Sequence, residues 1–190
     1  MKLPKPLVLI LGVLLQLALS YWVDIYPNSI NTGNSIAQFT SGLAQLDGPK
    51  VNFLNGTSYD WWYFDAVSST TNASVVIGFY IATDIGFQFV PPGSGISINF
   101  FATFENGTSI YYALNSAAGM AGDATVVTNG QGSSGYWNST GAQWVGSPFL
   151  TNYTITVDSP ALGVQGTLTL NSVRITYPKL PTILLTIPND

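Results

Sequence analysis

The stretch SYDWWYFDAVSS, Ser58–Ser69, places four aromatic residues in a row between two aspartates. Charged residues make up only 7% of the chain, so two carboxylates beside its densest aromatic run call for an explanation. Because side chains alternate across a β-strand, the stretch divides into two faces: Trp61, Tyr63 and Asp65 against Trp62, Phe64 and Ala66. The pattern predicts a strand whose rings either fill a core or line a binding site. The aspartates then either cap turns or open into a wet pocket.

Short β-rich runs broken by Gly, Asn, Asp and Pro continue on the C-terminal side of this stretch. The pair Asn106-Gly107 is a strong hairpin signal between two of them. We expect strands at Trp61–Val67, Ser74–Thr83, Gly95–Phe104, Thr108–Leu114, Ala124–Thr128, Gly135–Asn138, Gln143–Val145, Asn152–Val157, Val164–Thr176 and Thr182–Ile187. Ala113–Gly122 is a weak helix candidate, and Tyr21–Asp47 is expected to wrap the first sheet. The sequence therefore predicts an all-β fold, an antiparallel lipocalin-like barrel or a β-sandwich.

The composition excludes several classes of chemistry. The chain has no cysteine and no histidine, which removes thiolate nucleophiles, the commonest metal ligand and the commonest general base. We therefore expect neither a metal site nor a cofactor. Once the first 20 residues are set aside, Lys50, Arg174 and Lys179 face nine acids, so nucleic-acid binding is excluded. Aromatic surface, hydroxyls, amides and a few carboxylates remain, which suits an apolar ligand or a reaction that needs orientation more than proton transfer.

The N-terminus has the features of a secretory signal peptide over residues 1–20. Two lysines precede an apolar run of about 13 residues, and Ala18-Leu19-Ser20 is a small-x-small cleavage pattern. The run is shorter than the roughly 20 residues that a membrane-spanning helix needs. We therefore expect a secreted or lumenal protein without a stable membrane anchor, whose sequons accept N-linked glycans at Asn55, Asn72, Asn106, Asn138 and Asn152.

The aromatic motif resembles a sequence of the form D-W-W-Y-x-D-A in fungal Diels–Alderases, distant relatives of carotenoid hydratases of the hydroxyneurosporene synthase type. The segments ASVVIGFYIAT (73–83) and GISINFFATFENGT (95–108) resemble the strands that follow it, and the similarity extends over residues 41–178. In that family the motif opens the first of two β-domains, with the ligand pocket between or beside them, and some members are secretory. The resemblance implies that residues 21–190 form a single β-domain similar to the N-terminal half, with a second β-domain as a missing partner.

The same resemblance implies a cofactor-free pericyclase that shapes a polyene or quinone-methide intermediate in secondary-metabolite biosynthesis. It assigns Tyr59 and Asp60 to orienting a substrate carbonyl, with Asp65 as a further catalytic or structural acid. The substrate-binding candidates, from the motif and from strand position, are Trp61, Trp62, Tyr63, Phe64, Phe79, Ile81, Phe100 and Tyr111. Three alternatives stay open: a lipocalin-like carrier of an apolar metabolite without turnover, a carotenoid-hydratase-like enzyme with Asp60 or Asp65 as its acid, and a truncated, inactive fragment.

Overall fold

The computed structural model describes residues 21–37, 47–90, 92, 94–115, 122–129, 132–138, 140–160 and 162–172. Ten β-strands and one short 3-10 turn at Pro148–Leu150 lie within these residues. The strands are β1 (Tyr21–Tyr26), β2 (Tyr59–Val67), β3 (Ser74–Ala82), β4 (Ile96–Thr103), β5 (Ser109–Asn115), β6 (Ala124–Asn129), β7 (Gly132–Trp137), β8 (Ala142–Gly146), β9 (Asn152–Ser159) and β10 (Val164–Asn171). The all-β prediction is confirmed.

The strands form two antiparallel sheets. The smaller sheet has the order β2-β3-β4-β5, and the larger has the order β1-β6-β7-β8-β9-β10. Neighbouring strands in the small sheet are consecutive in sequence and pair antiparallel, with a longer connection, residues 83–95, between β3 and β4. Within the described residues neither sheet closes on itself, so the two sheets pack as an open sandwich that is consistent with the predicted lipocalin-like fold.

The predicted Asn-Gly hairpin joins β4 to β5. Gly107 has a φ of +81°, a conformation that favours glycine, and the Asn106 side chain accepts a hydrogen bond from the Thr108 N–H at 3.0 Å. This turn sets Phe101 opposite Tyr111. The hairpin therefore decides which residues of the two strands share a face.

A cluster of aromatic rings fills the space between the two sheets. The indole of Trp62 lies 5.5 Å from the Trp137 ring and 5.7 Å from the Trp144 ring, measured between centroids. Phe64 and Phe79 complete the cluster, with their rings 6.0 Å apart in an edge-to-face arrangement. Burial of rings this large contributes strongly to the stability of the core. The chain has no cysteine, so no disulfide adds to this contribution.

Residues 47–51, which we call the Asp47 segment, connect both sheets at one end of the sandwich. The Asp47 carbonyl accepts hydrogen bonds from Trp62 Nε1 of the small sheet at 2.9 Å and from Ser133 Oγ of the large sheet at 3.0 Å. The Tyr153 hydroxyl donates to the Asp47 carboxylate, and the Tyr26 hydroxyl donates to the Val51 carbonyl. Side-chain hydrogen bonds from both sheets therefore hold this segment in place.

The N-terminal part of the described chain differs from the prediction. Tyr21–Tyr26 is not a wrapping segment but strand β1, which pairs antiparallel with β6 along its whole length. Tyr26 is buried in the core, which fixes this edge strand to the sandwich. Residues 113–115 of the weak helix candidate belong to β5. Residues 116–121 of that candidate, the signal peptide, residues 173–176 of the expected strand at 164–176 and the expected strand at 182–187 lie outside the described residues.

Candidate functional site

Strand β2 divides the aromatic motif between the two sides of the small sheet, as the alternation predicted. Trp62 and Phe64 are each 7% exposed and point into the core, whereas Trp61 and Tyr63 are 44% and 53% exposed on the outer side. Because a β-sheet separates these two sets, the residues of the motif cannot all contact one ligand.

Asp60 holds the Asp47 segment in place. One carboxylate oxygen accepts from the Lys50 backbone N–H at 2.6 Å, and the other accepts from the Trp61 N–H at 2.9 Å. Burial raises the pKa of the Asp60 carboxyl above its ordinary value, an effect that the two hydrogen bonds and the nearby Lys50 charge oppose. The predicted catalytic acid is therefore engaged with backbone donors on the inner side of the strand.

The outer side of the small sheet is the candidate site, and we call it the aromatic face. It carries one or more rings from each of the four strands and from the connection between β3 and β4: Tyr59, Trp61, Tyr63, Tyr80, Phe87, Phe101 and Tyr111. The predicted acid Asp65 lies on the same outer side and is exposed. Five of these rings, Tyr59, Trp61, Tyr63, Phe101 and Tyr111, are exposed, and a contiguous exposed patch of this kind is a candidate binding surface.

Three tyrosines and one amide converge at the centre of the aromatic face. Tyr63, Gly78 and Asn99 lie directly opposite one another on three adjacent strands. The Tyr80 ring lies across Gly78, so closely that a β-carbon at that glycine would be 2.4 Å from the phenol oxygen. Glycine is therefore required at position 78, because any side chain there would overlap the Tyr80 phenol.

The Tyr80 phenol is a hydrogen-bond donor at neutral pH. Burial raises its pKa, the neighbouring phenols of Tyr111 and Tyr63 raise it further, and a hydrogen bond from the Asn99 side chain acts in the opposite direction. A neutral phenol beside two others can polarise a carbonyl or ether oxygen without transferring a full proton.

Phe87 packs onto one end of the aromatic face. Its ring centroid lies 5.5 Å from Tyr59, 5.2 Å from Trp61 and 5.4 Å from Tyr80. The Asn99 amide nitrogen donates to the backbone carbonyl of Phe89 at 3.4 Å, which brings the same loop over β4. The loop explains why β3 is buried on both sides, as the continuous apolar run Ser74–Thr83 predicted.

Two polar atoms of β4 on this outer side are buried without a hydrogen-bond partner among the described residues, Ser97 Oγ and Asn99 Oδ1. Ser97 lies opposite Tyr80 and is fully buried. Leaving such an atom unsatisfied costs roughly 1–3 kcal/mol. The outer side of β4 therefore has unused hydrogen-bonding capacity opposite Tyr80 and Gly78.

A second opening lies between the two sheets and is partly open to solvent. This cavity of about 180 Å³ separates β3 and β4 from β9 and β10. Its apolar lining consists of Val75, Ile77, Phe100, Ile155, Val157, Val164 and Leu168, and the polar residues Gln165 and Thr167 also line it. The cavity therefore offers a mostly apolar surface with access from solvent.

The structure distributes the predicted site residues among three environments. Tyr59, Trp61, Tyr63, Asp65 and Tyr111 lie on the aromatic face. Trp62, Phe64, Phe79 and Ile81 are core residues, and Asp60 lies on the same side. Phe100 lines the cavity between the two sheets.

Sequence reasoning missed four residues of the face: Gly78, Tyr80, Phe87 and Asn99. It also chose Phe100 instead of Phe101. The Asn-Gly hairpin could have corrected this choice, because its register sets Phe101, and not Phe100, opposite Tyr111.

Two classes of site are absent from the part of the chain that the structure describes. No group of three or more acidic residues there is placed to hold a metal ion. No helix in these residues is long and apolar enough to cross a bilayer.

The fold and the face together define the class: an antiparallel two-sheet β-domain that presents an aromatic, hydroxyl-bearing surface. The chain belongs to the Diels–Alderase-like family, whose sequence model matches residues 25–188.

The chain is similar to two quinolone epoxide rearrangement proteins. It is 33% identical to asqO of Emericella nidulans over 150 residues, and 32% identical to penF of Penicillium thymicola over 170 residues. These alignments cover 78% and 85% of this chain but only 40% and 46% of the relatives. The chain therefore spans less than half the length of these two relatives.

A third relative and a solved structure agree with this placement. The Diels–Alderase mycB of Thermothelomyces thermophilus is 32% identical over 91 residues, which is 48% of this chain and 19% of that protein. A crystal structure of CghA with Sch210972 superposes with a TM-score of 0.57 at 21% identity, and covers 82% of this chain and 40% of that one. At this identity the superposition supports the fold alone.

Proposed function

We propose that this chain is the substrate-binding β-domain of a Diels–Alderase-like enzyme, and that it guides ring formation or rearrangement of a conjugated intermediate in secondary metabolism. The observation that carries the proposal is the convergence of Tyr63, Tyr80, Tyr111 and Asn99 between exposed rings on one side of the small sheet. The names of the relatives, a Diels–Alderase and two epoxide rearrangement proteins, support a reaction of this class.

The proposed mechanism relies on orientation. A flat polyene or quinone-methide stacks on Trp61 and Tyr59, whose rings are themselves stacked at 5.6 Å and 22°. Holding the reacting carbons together in this way can lower a barrier by up to roughly 7–11 kcal/mol without an acid or a base. The tyrosine hydroxyls then donate hydrogen bonds to an oxygen of the substrate, where charge develops as the new bonds form.

A second β-domain is part of this proposal. The aromatic face is open to solvent, and a substrate lying on it would be covered on one side only. Because the relatives are more than twice as long as the matched region, we propose that a further β-domain covers the face and excludes water from the reaction. The reading frame beyond Asp190 is the first place to look for it.

The test is a comparison of product formation with and without purified protein. A linear substrate that carries a diene and an unsaturated carbonyl, and a quinone-methide precursor, are each incubated with the full chain and with buffer. We expect a faster reaction and an altered stereochemical ratio.

Tyr80→Phe should reduce the rate enhancement by about tenfold or more, the usual effect of one lost transition-state hydrogen bond. Tyr112→Phe, on the opposite side of β5, is the matched control and should leave it unchanged. Rates and product ratios equal to those in buffer would count against the proposal.

One observation favours a different function, a carrier of an apolar metabolite without turnover. The cavity between the sheets is lined by seven apolar side chains and by Gln165 and Thr167, and the described residues that line it include no charged group. A hydrocarbon chain of a few carbons would fit by shape alone. Retention of an added apolar ligand through gel filtration, with no chemical conversion, would favour the carrier over the enzyme.

We also propose that the protein enters the secretory pathway and is glycosylated. The sequence of residues 1–20 and the five sequons support this route. Asn72, Asn106, Asn138 and Asn152 are exposed, whereas Asn55 is half-buried and its amide nitrogen donates to the Gly33 carbonyl at 3.3 Å. Expression in a fungal host should give a secreted protein that begins at Tyr21 and shifts in mass on treatment with an N-glycosidase. An intact N-terminus on a cell-retained protein would contradict it.

A further inference from the structure

Gly166 leaves an empty place in the wall of the cavity between the sheets. It lies in β10 on the same side as Val164 and Leu168, and all three residues line the cavity. No atom of the described residues lies within 4 Å of the β-carbon that another residue would carry there. The backbone does not require glycine either, because the φ of Gly166 is not positive. Neither close packing nor backbone conformation therefore accounts for the missing side chain.

A glycine inside a strand weakens it, because it loses more backbone entropy on folding and packs no side chain. Such a glycine often marks a place where a ligand or another backbone approaches closely. Within the described residues β10 pairs with β9 alone, and Gly166 is exposed. Space for a ligand therefore extends from solvent past Gly166 into the cavity.

A wider depression of about 450 Å³ continues the cavity along the small sheet. The two openings share Val75 and Phe100 as lining residues, so they meet at these side chains. Beyond them the depression follows the same side of the sheet, where Ala66 and Ala102 lie directly opposite Val75 on the neighbouring strands. Phe104, just past the end of β4, lines its far part. We call the cavity and the depression together the apolar groove.

The lining of the apolar groove limits the ligands that fit it. No charged residue lines either opening, and the polar residues of the lining carry only hydroxyl or amide groups. A buried carboxylate would therefore have no cation to pair with. Val75, Phe100 and Leu168 pack against the core but are only partly buried, so a ligand would cover their remaining apolar surface. A neutral hydrocarbon chain matches this lining.

We propose that the apolar groove binds an unbranched alkyl chain of about ten carbons with an uncharged head, such as a fatty alcohol. The chain enters beside Gly166, passes Val75 and Phe100, and ends near Phe104. The extended backbone from Phe100 to Phe104 spans about 13 Å, which sets the length of the ligand. The proposal rests on the carrier alternative above, because it names a ligand class for the same cavity. It does not depend on the aromatic face, which lies on the other side of the small sheet.

A series of 1-alkanols tests the ligand class. Hexanol, octanol and decanol are titrated calorimetrically into the full chain. Affinity should rise about fourfold with each added methylene group, the value of burying one such group. Dodecanol should bind no more tightly than decanol, because its additional carbons extend beyond the groove. No saturable heat with any alcohol, or an affinity independent of chain length, would overturn the proposal.

The charge of the head group is tested with decanoate at pH 7. Decanoate should bind about tenfold or more weakly than decanol, because the groove offers its carboxylate no cation. Equal affinity of the two ligands would contradict an uncharged head.

Gly166→Leu fills the empty place with an apolar side chain. It should weaken decanol binding by about tenfold or more, and it should keep or raise the thermal midpoint of the free protein, as cavity filling commonly does. Thr169→Leu introduces the same side chain at an exposed position of β10 outside the lining and is the matched control, with unchanged affinity expected. The same decanol affinity in Gly166→Leu as in the unaltered chain would overturn the assignment of Gly166.

Phe104→Ser tests whether the two openings act as one groove, and it changes an exposed residue outside the core. Decanol should bind about three- to tenfold more weakly to this variant, whereas hexanol, which does not reach Phe104, should bind unchanged. Phe89→Ser alters another exposed phenylalanine, in the connection between β3 and β4, and should affect neither alcohol. An unchanged decanol affinity in Phe104→Ser would contradict a continuous groove.

This proposal and the proposed enzyme function can fail separately. If the alcohols bind with the expected dependence on chain length and no substrate is converted, the enzyme function falls and the groove stands. If a substrate is converted and no alcohol binds, the groove falls and the enzyme function stands.

Discussion

Trp61 and Trp62 are adjacent on one strand and have opposite surroundings. The Trp62 indole contacts two other tryptophans in the core and donates a hydrogen bond to the Asp47 carbonyl. The Trp61 indole stacks on Tyr59 and Phe87 at the surface. The comparison teaches that one run of aromatic residues can build a core and a binding surface together, because a strand sends alternate side chains to opposite sides of its sheet.

The largest effect should distinguish these two tryptophans. Trp62→Ala should lower the free energy of unfolding by about 3–5 kcal/mol, because it leaves a cavity between the sheets and removes a hydrogen bond to the Asp47 segment. Trp61→Ala should cost about 1–2 kcal/mol, the value of its ring contacts. Equilibrium unfolding in urea measures both, and equal losses would show that the outer ring is as essential to the fold as the inner one.

A smaller effect is expected at the glycine beneath Tyr80. Gly78→Ala forces the Tyr80 ring to move and should lower stability by about 1–3 kcal/mol, as overpacking usually does. Gly166→Ala is the matched control, since nothing lies within 4 Å of the β-carbon it would add, and its change should stay within about 0.5 kcal/mol. Chemical denaturation of the two variants side by side decides whether Gly78 is needed for space.

Removing a tyrosine hydroxyl should affect stability more at the Asp47 segment than on the aromatic face. Tyr153→Phe removes the hydrogen bond to the Asp47 carboxylate and should cost about 1 kcal/mol. Tyr111→Phe on the aromatic face should change stability by less than about 0.5 kcal/mol while it lowers any catalytic rate. Thermal unfolding of both variants measures the two changes in stability. An unchanged midpoint for Tyr153→Phe would show that this hydrogen bond adds nothing to the support that Ser133 and Tyr26 of the large sheet give the Asp47 segment.

The smallest effect concerns pH. Burial raises the pKa of Asp60 in the folded protein above its ordinary value of 3.8, so the folded state binds this proton more tightly than the unfolded state. The contribution of Asp60 to stability is therefore greatest below pH 3.8 and is lost as the pH rises through the folded pKa. Asp60→Asn should remove this decline, and Asp24→Asn should act in the same direction, because burial also raises the Asp24 pKa. Unfolding free energies measured from pH 3 to 8 test this prediction. A steeper decline of stability with rising pH in Asp60→Asn than in the unaltered protein would contradict it.

Much of the fold could be predicted, and less of the candidate site. Period-2 alternation located β2 and β9, and the Asn-Gly turn located the β4–β5 hairpin, because these signals are local. Strand β1 was missed because its pairing with β6 joins residues about a hundred positions apart. Tyr80 and Asn99 were missed because their proximity to Tyr63 depends on the register of three strands, which no local pattern specifies.

The sequence by itself determined an all-β chain without histidine or cysteine, whose densest aromatic run has two faces. That follows from side-chain chemistry and from the period of a strand, which are properties of neighbouring residues. Only the tertiary structure decided which face becomes core and which stays open. The second sheet covers one side of β2, and the Asp47 segment fastens it there, while Phe87 covers only one end of the other side. The reason is physical: the free energy of burial depends on what packs against a surface, and that partner lies far away in the sequence.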